Sequence, residues 1–263
     1  MTASRLSSLV ADGLPVTVFS PHLDDALLSC GAFLSHAAGR VPVTVVTAFT
    51  EAGPPPHTVS ALRFLRTMGD ADAARLYAAR RAEDRDALGL LGARWRHLGL
   101  VDGLFRRRPA RTRGTGPRRG GRARPGPHVY PTYRFHLCAN RLSRYDSGTL
   151  ARVAEAVARA APPDGVLLAP MAVGGHADHL LVRTAAELSH RWVAYYSDFP
   201  YDQDHHADLA FLLRSGLESS VWERGLAGKT GLIRAYRTQV GALFPGGRVP
   251  LSPEVYLLPR GGP

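Results

Sequence analysis

Lysine is almost missing from this chain of 263 residues: of its 33 basic side chains only Lys229 is a lysine, and the rest are arginines. Cysteine is nearly as sparse. Cys30 and Cys138 alone cannot build a disulfide framework, so the expected setting is the reducing cytoplasm. No apolar run approaches the roughly eighteen residues that span a bilayer, so no membrane span is expected. The opening MTASRLSSLVADGLP has no apolar core of the kind a signal peptide carries. No internal repeat is visible.

What remains is an ordinary globular composition, 45% hydrophobic and 21% charged, enough for one large core. The formal net charge of +11 is misleading. Nine arginines and no acidic residue fall within residues 106–127, and subtracting nine from eleven leaves a nearly neutral body at +2. That stretch also lacks interleaved aromatics, so it reads as a flexible, solvated insertion in a single domain over residues 1–263. Contact with a polyanion is the alternative use of such a run, although nucleic acid is not expected as a partner. The dominance of arginine over lysine, with abundant Ala, Gly and Pro, also fits a GC-rich coding sequence.

Short β-rich runs alternate with longer helical ones, the pattern of an α/β fold with a Rossmann-like, mostly parallel sheet flanked by helices. Strands are expected over 16–20, 41–47, 94–98, 166–169 and 192–197. Helices are expected over 26–38, 70–91, 149–161, 178–189 and 229–240. In the second helix Ala74, Tyr77, Ala78, Leu88 and Leu91 recur near helical spacing, and Gly92 is a natural stop. Asp146 or Ser147 is the expected cap of the third.

Open α/β sheets bind ligands beyond the carboxyl ends of their strands. Two polar segments lie there, residues 21–25 (Pro-His-Leu-Asp-Asp) and 174–179 (Gly-Gly-His-Ala-Asp-His). If their strands are neighbours, both converge on one crevice. A water-activating zinc site takes three His or carboxylate ligands and leaves one position open. His22 and Asp25 have the spacing to reach one ion, and either His176 or His179 can complete the set while the other stays free. Asp24, between the first two, can then accept a proton from water. A lone His-x-x-Asp is common; two such segments at corresponding strand ends are not. His205 and His206, flanked by Asp204 and Asp208, read as a polar surface turn.

These residues carry a resemblance. Residues 20–25 (Ser-Pro-His-Leu-Asp-Asp) are similar to the Pro-His-x-Asp-Asp signature of the LmbE-like, or PIG-L, N-acetylglucosaminyl deacetylases, and residues 176–179 resemble that family's His-x-Asp-His. Between them, Arg80-Arg81-Ala82-Glu83 followed by residues 87–92 resembles its Arg-x-x-Glu helix running into Leu-Gly. Residues 196–201 and the stretch from Lys229 through Gln239 match weaker late motifs. The resemblance implies zinc held by His22, Asp25 and His179, with another divalent metal such as iron able to use the same ligands. It implies Asp24 as general base, and His176 as the group that polarises the amide carbonyl. Asp178 is implied to orient His176, and Arg80 and Asp102 to contact the substrate. Ala26, where the common signature continues with Glu, and Leu28-Ser29-Cys30-Gly31, where Gly-Gly is usual, mark a distinct subgroup.

The implied activity is removal of the N-acetyl group from an N-acetylglucosamine-type sugar or glycoconjugate, in secondary or thiol-cofactor metabolism. Two alternatives differ from it. One keeps the site and cleaves a non-sugar or thiol-conjugate amide; the other is a polyanion-binding protein built on the basic insertion. A degenerate, non-catalytic homologue is argued against by the intact ligand set.

Overall fold

The computed structural model describes residues 5–109 and 125–263. Most of the arginine-rich insertion, and with it the expectation of flexibility there, lies outside the described residues.

Seven strands form one sheet: β1 (Val16–Ser20), β2 (Val43–Glu51), β3 (Arg94–Val101), β4 (Val166–Pro170), β5 (Val193–Tyr196), β6 (Glu218–Trp222) and β7 (Glu254–Leu258). Their spatial order is β3-β2-β1-β4-β5-β7-β6. The first five are parallel, as their apolar, β-branched runs suggest. β7 then runs antiparallel to β5, and β6 antiparallel to β7. Sequence reading misses this last pair: Glu218–Trp222 is mostly exposed and carries no continuous apolar run.

Among the described residues are nine α-helices: α1 (Arg5–Ala11), α2 (Asp25–Ala37), α3 (Val59–Thr67), α4 (Ala73–Leu90), α5 (Ser147–Ala160), α6 (Ala177–Leu188), α7 (Leu209–Ser215), α8 (Leu226–Ile233) and α9 (Arg237–Leu243). Among the described residues none is long and apolar enough to cross a membrane. On one face α1, α2, α4 and α8 pack over Val16, Val18 and Val45; on the other α5, α6 and α7 pack over Phe19, Val46 and Leu167. Burying each such side chain contributes about 1.5–3 kcal/mol, so both faces are strongly held.

Two expectations change. The single helix expected over 229–240 is broken into α8 and α9. Tyr236, between them, donates its hydroxyl to the buried Asp84 at 2.8 Å, and the Glu83 carboxylate accepts the Thr238 N–H and hydroxyl, the latter at 2.7 Å. Those two α4 carboxylates supply partners that a continuous helix would deny. Asp146 does stand at the start of α5 but makes no capping bond; its carboxylate is taken by Arg106 and Tyr130 instead. Gly92, in contrast, has φ +65 directly after α4, as a helix stop requires.

The lone lysine is buried. Lys229 on α8 lies 3.1 Å from Glu254 on β7, and that carboxylate also accepts the backbone N–H groups of Ala32 and Phe33 on α2. A Cβ at Gly31 would sit 3.2 Å from the lysine stem, so glycine leaves room where α8 crosses α2.

Candidate metal centre

The order reverses between β1 and β4: chain connections run outward from β1 through β2 and β3, then return to β4 on its other side. The two strands pair directly, with Val16, Thr17 and Val18 against Val166, Leu167 and Leu168. The crevice at such a switch point is where open α/β sheets hold ligands. The loop after β1 and the loop after β4 both enter it, as the two polar segments require. Gly175, φ +66, shapes the second loop: a Cβ there would stand 2.9 Å from the backbone N of Asn140.

Asp25 is the hub. Its Oδ2 lies 3.2 Å from His22 Nδ1 and 3.4 Å from His179 Nε2, and it accepts the His22 backbone N–H at 2.8 Å. The far nitrogen of each ring faces another carboxylate. His22 Nε2 is 3.2 Å from Asp178 Oδ2, and His179 Nδ1 is 2.6 Å from Asp198 Oδ1. Each ring thus lies between two carboxylates; with a cation beside Asp25, Asp178 and Asp198 would keep the ring protons on the far nitrogens and turn both lone pairs toward the ion. Tetrahedral zinc with bonds of about 2.0–2.1 Å places its ligand atoms roughly 3.3 Å apart, the separations seen around Asp25. The His and carboxylate donor types, and both separations measured from Asp25, fit zinc.

His176 stands beside them. Ring nitrogens of His22, His176 and His179 all lie within 4.8 Å of one another. His176 Nδ1 accepts the Asp178 N–H at 3.2 Å, which leaves the proton of the neutral ring on Nε2. Burial holds this imidazole well below its ordinary value, so it is neutral. The Asp178 carboxylate grips His22, whereas the resemblance implied His176; only the Asp178 backbone reaches His176. His22, Asp102 and Asp178 form a second close group. Its carboxylates are already engaged by Tyr77, Leu104, Gly103 and Arg106, so it offers a cation little.

Asp24 occupies the N-cap position of α2 without capping it. Burial, with the negative charge of Asp25, pushes its carboxyl up to about 7. For Asp25 itself, burial is outweighed by the His179 and His22 rings, which hold it below the usual carboxylate range. Arg80 is 3.7 Å from Asp24 and 5% exposed. It does not pair with Glu83; it donates to Gln239, whose amide N–H in turn donates to the Leu23 carbonyl. Asp102 accepts the Tyr77 hydroxyl at 2.6 Å on the cleft wall. Ser60, Phe64, Arg80, Asp102, Tyr201 and Gln239 help line a cleft of about 500 Å³ above the site, within the roughly 300–1,000 Å³ of small-molecule pockets. Asp208, beside the two surface histidines, caps α7 and pairs with Arg183.

Asp198 and Gln239 are the residues whose roles sequence reading did not assign. Both lie in the late motifs, but neither has a spacing that announces a partner. Asp198 also accepts the Val173 N–H at 2.8 Å, tying His179 to the loop after β4.

The chain is similar to the 2'-N-acetylparomamine deacetylase of Streptomyces fradiae, 31% identical over 189 residues, covering 69% of this chain and 56% of that one. It thus spans little more than half of that relative's length. Among solved structures, the zinc-inhibited form of a teicoplanin deacetylase is 25% identical with a TM-score of 0.66, covering 92% of this chain and 97% of that one. The deacetylase for the A40926 pseudoaglycone shares the fold at 23% identity and a TM-score of 0.63, covering 94% and 96%. The profile described as GlcNAc-PI de-N-acetylase matches residues 17–189, the stretch that contains both polar loops, and the chain belongs to this PIG-L family.

Proposed function

We propose that the chain is a metal-dependent amide hydrolase that removes the acetyl group from an N-acetylglucosamine-type sugar or glycoconjugate. Zinc is the metal in this reading, held by His22, Asp25 and His179. The observation that carries it is the convergence of the His22 and His179 rings on Asp25, with Asp24 beside them on the cleft lining, 3.7 Å from Arg80. The family, and relatives named as deacetylases of acetylated antibiotics or their precursors, support the amide and the amino sugar. The substrate is a small molecule, and the free cysteines accord with a cytoplasmic setting.

When bound, zinc lowers the pKa of water and polarises a carbonyl. Asp24 is the base: a carboxyl near 7 takes a proton from the attacking water at neutral pH. His176, neutral with its proton on Nε2, donates to the acetamide oxygen as charge develops there. The proton taken by Asp24 is then available to the departing amine, so acetamide and water yield acetate and amine. Arg80, held by Gln239, keeps a positive charge beside Asp24 and steadies its anion.

The test is acetate release from an alkyl N-acetylglucosaminide by protein stripped of metal and reloaded with zinc or ferrous iron. Release that needs the metal is expected. No acetate from any amino sugar with any metal would overturn the reading.

A further inference from the structure

Arg106 opens the arginine-rich run, yet it is not part of a solvated loop: it is 7% exposed. Its Nε donates to Asp146 Oδ1 at 2.7 Å, its Nη1 to the Val101 carbonyl at 2.9 Å, and its Nη2 to Asp178 Oδ1 at 2.7 Å. The guanidinium also lies 5.1 Å from the ring centre of Phe49 and 5.6 Å from that of Tyr130. Asp178 is fully buried, and its two oxygens divide their work. Oδ1 receives Arg106, while Oδ2 receives the Gly103 N–H at 2.8 Å and faces His22 Nε2 at 3.2 Å.

A carboxylate is planar, so fixing Oδ1 fixes where Oδ2 meets the histidine. We infer that Arg106 is a positioning residue of the metal centre, acting through Asp178 to hold the His22 ring with Nδ1 toward Asp25. Arginine suits the task because its planar fork serves Asp146 and Asp178 along different edges at once, which an ammonium cannot do. The inference rests on the metal centre proposed above and is independent of which bond the enzyme cleaves.

The readout is the zinc dissociation constant, measured by competition with a chromophoric chelator, alongside thermal unfolding of the metal-free protein. Arg106→Lys keeps the charge and should fold; it is expected to weaken zinc binding about tenfold, within the ~10–100-fold range of partners behind a ligand. Asp178→Asn should weaken it at least as much. Because Arg106 works through Asp178, the double variant should bind no more weakly than Asp178→Asn alone. A folded Arg106→Lys protein with unchanged zinc affinity, whatever its melting temperature, overturns the inference. So does full additivity in the double variant. A wild-type protein that binds no zinc overturns the metal reading and this inference together.

A separate observation concerns the cleft mouth. α3 turns Ser60, Arg63 and Thr67 into the cleft, and a single π-helical turn over Tyr133–Leu137 supplies Tyr133 and Arg134. The Tyr133 N–H donates to Ser60 Oγ at 3.1 Å, so the two segments meet at one end of the cleft. Neither Arg63 nor Arg134 has a carboxylate within ion-pair distance among the described residues, and the lining carboxylates Asp24, Asp25 and Asp102 lie against Arg80, His22 and His179 instead. The geometry points to an anionic group, phosphate or carboxylate, on the part of the substrate beyond the acetamide. A polyamine such as an aminoglycoside would meet two unpaired cations there.

This rests on the deacetylase reading. The test compares N-acetylglucosamine 1-phosphate, the lactyl-ether carboxylate of N-acetylglucosamine, its methyl glycoside, and an N-acetylated aminoglycoside with free amines. At least one anionic probe is expected to exceed the methyl glycoside about threefold to tenfold in kcat/KM, through KM, as exposed charge pairs allow. Arg63→Gln or Arg134→Gln should bring that ratio toward one, and Arg63→Lys should restore it. Equal ratios in the wild type, or a preference for the aminoglycoside, overturn the inference while leaving the deacetylase reading intact. If no probe is turned over, calorimetric binding of the same four probes decides the charge preference, and equal or weaker binding of both anionic probes overturns the inference.

Discussion

Asp24→Asn separates catalysis from folding more cleanly than any other change in this protein. The substitution is isosteric and removes one negative charge 8% exposed to solvent. Asp24 makes no capping bond to α2, so no helix stabilisation is lost, and asparagine is an equally good N-cap residue. Repulsion between Asp24 and Asp25 disappears as well. Arg80 loses a carboxylate 3.7 Å away, which offsets part of that relief, so thermal stability of the metal-free protein should hold. It should also lose a pH dependence: burial and Asp25 raise the folded carboxyl to about 7, against about 3.9 for an exposed aspartate. The associated stability is complete below the lower value and is lost as pH rises through the upper one. In Asp24→Asn that decline should flatten. Turnover should collapse: losing a general base costs roughly a hundredfold to ten-thousandfold in kcat, ~3–5 kcal/mol of barrier. Zinc should stay, because His22, Asp25 and His179 are untouched. The assay is acetate release at fixed zinc occupancy, with metal content measured on the same sample. A zinc-loaded variant keeping more than about a tenth of wild-type kcat would refute the base assignment.

Other perturbations follow from the same contacts. Asp198→Asn removes the acceptor 2.6 Å from His179 Nδ1 and should weaken zinc binding ~10–100-fold in a chelator competition, with unchanged affinity counting against it. Lys229→Met leaves Glu254 charged and buried, a loss of about 3–5 kcal/mol. Melting should fall by about 10 °C and partly recover in the double variant with Glu254→Gln; a fall under about 2 °C would mean the pair is not desolvated. Chelation should lower the melting temperature and zinc should restore it in proportion to ln(1 + [Zn]/Kd), and a midpoint blind to both would argue against a native zinc site.

The strands that place the site were legible because they are buried on both faces and so read as continuous apolar runs. β1 and β4 are buried in every residue, and β4 is apolar throughout while β1 admits only Thr17 and Ser20. The edge pair β6 and β7 is not, and was missed. Helix α4 is legible, and Tyr77 and Leu88 are buried as the apolar spacing predicts, but two of its positions face outward. Ala74 and Ala78 are exposed, while the buried stripe runs Ala73, Leu76, Tyr77, Arg80, Glu83, Asp84, Ala87 and Leu88. Three charged residues sit in a stripe that hydrophobic periodicity assumes to be apolar, and they are the ones that hold α9, Tyr236 and Gln239. The ligand loops were legible because metal donors must cluster at strand ends. Asp198 and Arg106 act through other residues, and no local spacing reveals a contact made across 19 or 72 residues of chain.

The burial of Lys229 reaches beyond stability. The residue is 5% exposed and its amine is paired, so the folded protein presents the solvent with no reactive lysine. An enzyme that liberates primary amines is most directly followed by reagents that become fluorescent on amines. Here the protein would contribute only its N-terminus to that signal, whereas an unfolded fraction would add the lysine. The same dye that counts product would therefore report unfolding of the enzyme.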